Sequence, residues 1–281
     1  MTTADITSLE TPSGKTRHGE NFPVGSFFIR ADLRPHIHAF YNFARAADDI
    51  SDHPLMEPQI KVARLDRFAD ILLGQKFYDV PSAIAMRESL LITKISPQHC
   101  LDLLTAFKRD AVQLRYSDWD DLLDYCRFSA SPVGRHVLAL HGIGDTAWPA
   151  NDALCSALQI INHIQDCGDD YRELDRVYIP QDMLAAHNSN TADLSRAEAT
   201  PALRATLSTM LDKIKPMLDQ AVLLPRVVTN WRLKCEVSVI CVLAERLTEL
   251  LRKRDPLCDN VKLRKPAIIA AATRGLMRAW F

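Results

Sequence analysis

The chain has 281 residues, 47% hydrophobic and 25% charged, with a formal net charge of −1. Those values fit a globular protein with a substantial core and exclude both an extended disordered chain and a broadly basic nucleic-acid surface. No apolar run reaches the ~20 residues needed to cross a bilayer.

The first residues, 1–17, read as a flexible N-terminus without a secretory signal, and 18–281 as one domain. Seven cysteines at 100, 126, 155, 167, 235, 241 and 258 include no C-x-x-C pair, which points to free thiols in a reducing cytoplasm. Glycine is scarce, with nine residues, and neither Asn-Gly nor Asp-Gly occurs, so hairpins are not expected. Apolar positions instead recur at three and four, as in Leu65, Phe68, Ala69 and Leu72, and again in Leu103, Leu104 and Phe107. The pattern predicts an all-α fold.

In chain order, a helix running through Ile37, Phe40, Tyr41 and Ala44 ends at His53-Pro54, and Ser96-Pro97 opens a later one. A further helix starts near Pro149 with Asn151 or Asp152, and Ile179-Pro180 closes the segment after it. Residues 185–195, "AAHNSNTADLS", form the best loop or lid candidate. Residues 232–247 read as a helix whose cysteines pack. The C-terminal "VKLRKPAIIAAATRGLMRAWF" combines Lys262, Arg264, Lys265, Arg274 and Arg278 with an apolar face. It suits either docking on anionic lipid or packing on the bundle.

Two acidic clusters carry the chemistry. In "YNFARAADDISDH", residues 41–53, Asp48 and Asp52 are four apart and share a helix face, with Asp49 beside them. Arg45 is within reach of these aspartates or of an anion bound there. Like charges so spaced repel, so a cation is expected to offset them. In "LQIINHIQDCGDDYRELDRVYIP", residues 158–180, Asn162, Asp166 and Asp170 recur at four, with Gln159 one turn earlier. Hard oxygen donors in two such clusters suit magnesium, which takes one or two carboxylates per helix and leaves positions for water and phosphate oxygens.

These stretches, with "YCRFSASPVG" at 125–134 and "HGENFPVGSFFI" near the N-terminus, resemble the head-to-head prenyl synthases, the family of squalene, phytoene and dehydrosqualene synthases. The likeness covers roughly residues 18–260. It implies an isoprenoid-synthase helical bundle with an apolar cavity, two or three magnesium ions and a prenyl diphosphate substrate, while the cysteine usage points to the cytoplasm and the C-terminal helix to peripheral contact with a membrane. Carried over, Asp48, Asp49, Asp52, Asn162, Asp166 and Asp170 are metal ligands. Arg45, Gln159, Asn162, Arg176 and Tyr178 would contact diphosphate, and Tyr41 and Tyr125 would line the reaction chamber. The aromatics Phe22, Phe27, Tyr41 and Phe43 would either shield a carbocation or pack in the core.

The pattern also departs from the family in two places. Where two-step synthases read N-x-x-R-D, this chain has Gln165 before Asp166, and Gly19 and Asn21 follow His18 where serines are common. Both changes point to a substrate that carries one diphosphate on an already joined chain. No G-x-G-x-x-G is present, so no NADPH site is expected. A condensing synthase of the same fold and a non-catalytic relative acting as an assembly or lipid-binding factor are the alternatives.

Overall fold

The structure is a computed structural model that describes Glu10 and residues 29–280. Phe22, Phe27, Gly19, Asn21 and the rest of the N-terminal segment singled out above lie outside the described residues. Among the described residues the fold is helical, with a single isolated parallel bridge between Arg115 and Val177. The expected all-α class is what the structure has. The helices group into two compact units: the described residues up to Val112 with Ala139–Gly142, and Gln113–Leu138 with the residues from Ile143 onward.

The first unit contains α1 (Arg34–Ser51), α2 (Pro58–Leu73), α3 (Pro81–Thr93) and α4 (Gln98–Val112). Proline in the first turn opens each of the first three, where its missing N–H costs nothing. Gly74, with φ of 68°, ends α2 in the left-handed conformation that favours glycine. The apolar stripes predicted for α2 and α4 do face inward: Leu65, Phe68, Leu72, Leu103 and Leu104 are buried. From α1, Phe43 is fully buried and its ring lies 5.8 Å from that of Phe68. Of the two roles open to Phe43, the structure gives it core packing.

The second unit contains α5 (Trp119–Ser129), most of α6 (Ser131–Leu140), α7 (Trp148–Gln165), α8 (Cys167–Leu174), α9 (Gln181–Ala186), α10 (Pro201–Ala221), α11 (Leu224–Val227), α12 (Trp231–Lys253) and α13 (Lys265–Trp280). Caps explain several starts. The Asp118 side chain accepts from Asp121 N at 2.9 Å, and Asn230 accepts from the Arg232 and Leu233 amides at 3.1 Å. The helix expected from Pro149 begins at Trp148, and neither Asn151 nor Asp152 caps it. Asn151 Nδ2 instead donates to the Ser131 carbonyl at 3.3 Å, and Asp152 accepts from Arg135 Nε at 2.9 Å. Those side chains are spent tying α7 to α6.

Residues 185–195 also differ from an open loop. Thr191–Ser195 forms a short 3₁₀ helix with a capping box at Asn190, and buried Asp193 accepts from Ser189 Oγ at 2.9 Å. The dense Asn, Ser, Thr and Asp content that reads as loop is what supplies these local hydrogen bonds. All seven cysteines are free. Burial pushes the thiols of Cys100, Cys155, Cys167 and Cys241 up to about 12, so they stay protonated and act as packing groups.

α13 lies against α12 through Ala271, Gly275 and Ala279. A Cβ placed on Gly275 would meet the Val239 backbone Cα at 2.5 Å. Gly→Ala inside a helix normally stabilises by about 1 kcal/mol, but here the overlap is with backbone, which cannot swing aside. Gly275→Ala is therefore expected to destabilise by about 1–3 kcal/mol, read from the denaturant midpoint. A stabilised variant would mean that the two helices are less closely packed than this.

Candidate active site

In the first unit, Tyr41, Arg45, Asp48 and Asp52 fall at i, i+4, i+7 and i+11 along α1 and its C-cap, a single stripe beside the buried face of Phe40, Phe43, Ala47 and Ile50. Arg45 binds its own aspartates: Nη1 donates to Asp48 Oδ2 at 2.7 Å and Nη2 to Asp49 Oδ1 at 2.6 Å. Asp49 is the most buried of the three acids, at 8% exposure. Ser51 Oγ donates to Asp52 Oδ1 at 3.3 Å, and Lys61 Nζ donates to the Ser51 carbonyl at 2.8 Å, a cation placed at the negative end of the helix.

One guanidinium does not neutralise this group. Burial, and next the charge of Asp52, push the Asp48 carboxyl up to about 8, with Asp110 and Asp49 adding to the effect and Arg45 opposing it. For Arg45, burial alone would lower the pKa, yet Asp48, Asp49 and Asp52 outweigh it and raise it above its ordinary value. Asp110, a buried residue near the end of α4, went unnoticed in the sequence. No acid lies four residues from it in the sequence, and the packing of α4 against α1 brings its charge to bear on Asp48.

The second unit holds the remaining candidates. α7 supplies Gln159 and Asn162, Asp166 sits at the break between α7 and α8, and α8 supplies Asp169 and Asp170. The break does not interrupt the ladder: Asp166 N donates to the Asn162 carbonyl at 2.9 Å and Asp170 N to the Asp166 carbonyl at 2.8 Å. The period-four relation of Asn162, Asp166 and Asp170 thus continues through a change of helix direction. Partial covering by neighbours, and then Asp170, raise the pKa of the Asp166 carboxyl, while His163 and Lys262 pull it down. Gln165, at the position that carries arginine in two-step synthases, donates through Nε2 to the Val261 carbonyl.

Beside this cluster stands an aromatic group. The bridge between Arg115 and Val177 runs 114–116 alongside 176–178, with Val177 N donating to the Leu114 carbonyl at 2.9 Å, and so sets Tyr116 next to Tyr178. Ring centroids of Tyr116, Tyr125 and Tyr178 are 5.2–5.4 Å apart, and His163 stacks on Tyr178 at 3.6 Å. The 5.2–5.4 Å separations of the three tyrosines are attractive for aromatic pairs. Tyr125, Tyr178 and Arg176 are buried, as is His163. The His163 Nε2 atom lies 3.0 Å from Gln159 Nε2, and its Nδ1 lies 3.9 Å from Asp170 Oδ2. Neither Tyr116 nor His163 is marked by sequence spacing, since a lone tyrosine or histidine on a helical chain usually packs in the core.

Among the described residues no group of three or more His, Cys, Asp or Glu side chains is arranged to hold a metal ion by itself. The donor chemistry still fits magnesium shared with a ligand. Each cluster offers hard oxygens, and magnesium takes one or two carboxylates with the rest of its shell from water and phosphate. The raised Asp48 marks a surplus of negative charge that a divalent cation would relieve.

The sign of the pH effect follows. Because Asp48 binds its proton more tightly in the folded chain than at the ordinary carboxylate value near 4, it favours folding at low pH, and that contribution is lost as pH rises through about 8. Asp48→Asn is expected to raise the Tm of metal-free protein by about 2–4 °C at pH 8.5 and by much less at pH 5. Equal shifts at both pH values would remove Asp48 as the strained acid.

Comparison with known proteins gives the family. The squalene/phytoene synthase family matches residues 15–267. A hydroxysqualene synthase from Rhodopseudomonas palustris is 45% identical over 95% of this chain and 91% of its own, and one from Zymomonas mobilis is 45% identical over 93% and 90%. The crystal structure of squalene synthase HpnC from Alicyclobacillus acidocaldarius superposes with a TM-score of 0.73 at 31% identity, covering 84% of this chain and 89% of that one. With its helical fold, its two acidic clusters and a family match across nine-tenths of its length, the chain belongs to the squalene/phytoene synthase family.

Proposed function

We propose that this protein is a hydroxysqualene synthase: it converts presqualene diphosphate and water to hydroxysqualene and diphosphate, a carbon–oxygen lyase reaction. The observation that carries this reading is the 45% identity to hydroxysqualene synthases over nearly the full length of both chains. The neutral Gln165, bound to a backbone carbonyl, supports it, because a substrate with one diphosphate does not require the arginine that binds a second.

The carbon–oxygen bond of the diphosphate ester breaks and its electron pair leaves with the diphosphate. The cyclopropylcarbinyl cation rearranges, a water oxygen forms the new carbon–oxygen bond, and the proton passes to the released diphosphate. Bound magnesium would neutralise the departing oxygens; in the first unit Asp48 and Asp49 of α1 with Asp52 at its C-cap would hold it, and in the second unit Asn162 of α7, Asp166 at the break and Asp170 of α8. Arg45 and Gln159 bind diphosphate oxygens, and Arg176 adds positive charge to the leaving group. Tyr116, Tyr125 and Tyr178 present aromatic faces that stabilise a cation by about 1–2 kcal/mol each when water is excluded. Tyr41 lies on the Asp48 stripe and lines the path of the hydrocarbon. His163 holds the Gln159 amide and fixes its direction. The reaction takes its substrate from a presqualene diphosphate synthase and hands its alcohol to a reductase, in the cytoplasm.

The test is a product assay with purified protein and magnesium, without reductant, given presqualene diphosphate or farnesyl diphosphate and read by mass spectrometry. Hydroxysqualene from the first and nothing from the second is expected. Product from farnesyl diphosphate alone would make the protein a condensing synthase. Asp48→Ala and Asp166→Ala are each expected to lower turnover by about a hundredfold or more with helical content unchanged. Unfolding of both variants would return these acids to a structural role.

A further inference from the structure

The last helix is packed with its small residues inward and its large ones outward. Ala271, Gly275 and Ala279 face α12, close enough that a Cβ at 275 would reach the Val239 backbone. On the other side Ile269, Thr273, Met277 and Trp280 fall at i, i+4, i+8 and i+11, one stripe. Ile269, Met277 and Trp280 are 66%, 54% and 80% exposed. A helix that serves only to cover a core does the reverse, and an exposed apolar stripe of this kind marks an interaction surface.

Charge identifies the occupant. From Asn260 to the C-terminus there is no acidic residue, while Lys262, Arg264, Lys265, Arg274 and Arg278 are basic. Arg278 is engaged with Glu245 at 2.7 Å, and Lys262 acts on Asp166. Arg264, Lys265 and Arg274 stand exposed around the stripe. A second copy of the chain docking by the same face would set like charges together. A bilayer with anionic headgroups instead receives the apolar side chains at the acyl boundary and the cations at the phosphates. No helix of the described residues is long and apolar enough to cross a membrane, and an apolar stripe flanked by cations suits attachment at the surface.

We infer that the Ile269–Met277–Trp280 face of α13 docks the protein on an anionic lipid surface. The surface stands independently of the proposed reaction, although a substrate with a long hydrocarbon gives it a use.

The experiment is flotation of the full-length protein with phosphatidylcholine vesicles, with and without about 30 mol% phosphatidylglycerol, at low and moderate salt. Binding about tenfold stronger to the anionic vesicles, weakening with salt, is expected. The variant I269Q/M277Q/W280Q should lose that binding, and R264E/K265E/R274E, which keeps the stripe, should lose it too. Both should retain the wild-type Tm and turnover of detergent-dispersed substrate. Equal binding to both vesicle types, no binding, undiminished binding by either variant, or self-association in solution that the triple-Gln variant abolishes would overturn the assignment. No substrate enters the binding assay, so its failure is separate from any failure of the proposed reaction.

Discussion

The crowding of negative charge on α1 is the constraint from which the rest of the site follows. Three aspartates occupy five residues, and Arg45 pairs with two of them, yet the balance still pushes Asp48 up to about 8. On an exposed helix such repulsion costs a few tenths of a kcal/mol. Partly buried and near the charge of Asp110, it costs more. A chain selected for stability alone would separate these charges; the proposed binding of a multiply charged anion through divalent cations is what would keep them together.

The second cluster is built differently. Asn162, Asp166 and Asp170 keep their period of four through a break in the helix, because backbone hydrogen bonds continue across it. The break frees the chain to turn into α8. The 114–116 and 176–178 segments then bring Tyr116, Tyr125, Tyr178 and His163 into one aromatic group. Polar oxygens and aromatic faces thus lie side by side in one unit, the combination needed where an anion departs and a cation is left.

Much of this was legible in the sequence because it is local. Helical class follows from the three-four recurrence of Leu65, Phe68 and Leu72, and the acid pairs are visible as i, i+4 spacings. What was not legible is what packing creates. Asp110 affects Asp48 only because α4 lies against α1. Tyr116 meets Tyr178 only through a two-segment bridge, and His163 becomes notable only once its ring lies on Tyr178. Asn151 and Asp152 resemble caps, yet their side chains reach α6. The apolar face of the last helix was visible, but which residues turn inward was decided by the close approach at Gly275, which favours small side chains.

The proposed function rests most heavily on each acidic cluster holding diphosphate through magnesium. Thermal unfolding of the full chain with magnesium, with inorganic diphosphate, and with both tests it most directly, since a ligand that binds only the folded state raises Tm. A clear rise with both together, small with either alone and absent in Asp48→Ala and Asp166→Ala, is the predicted result. No rise with both present, or an undiminished rise in the two variants, would contradict the account.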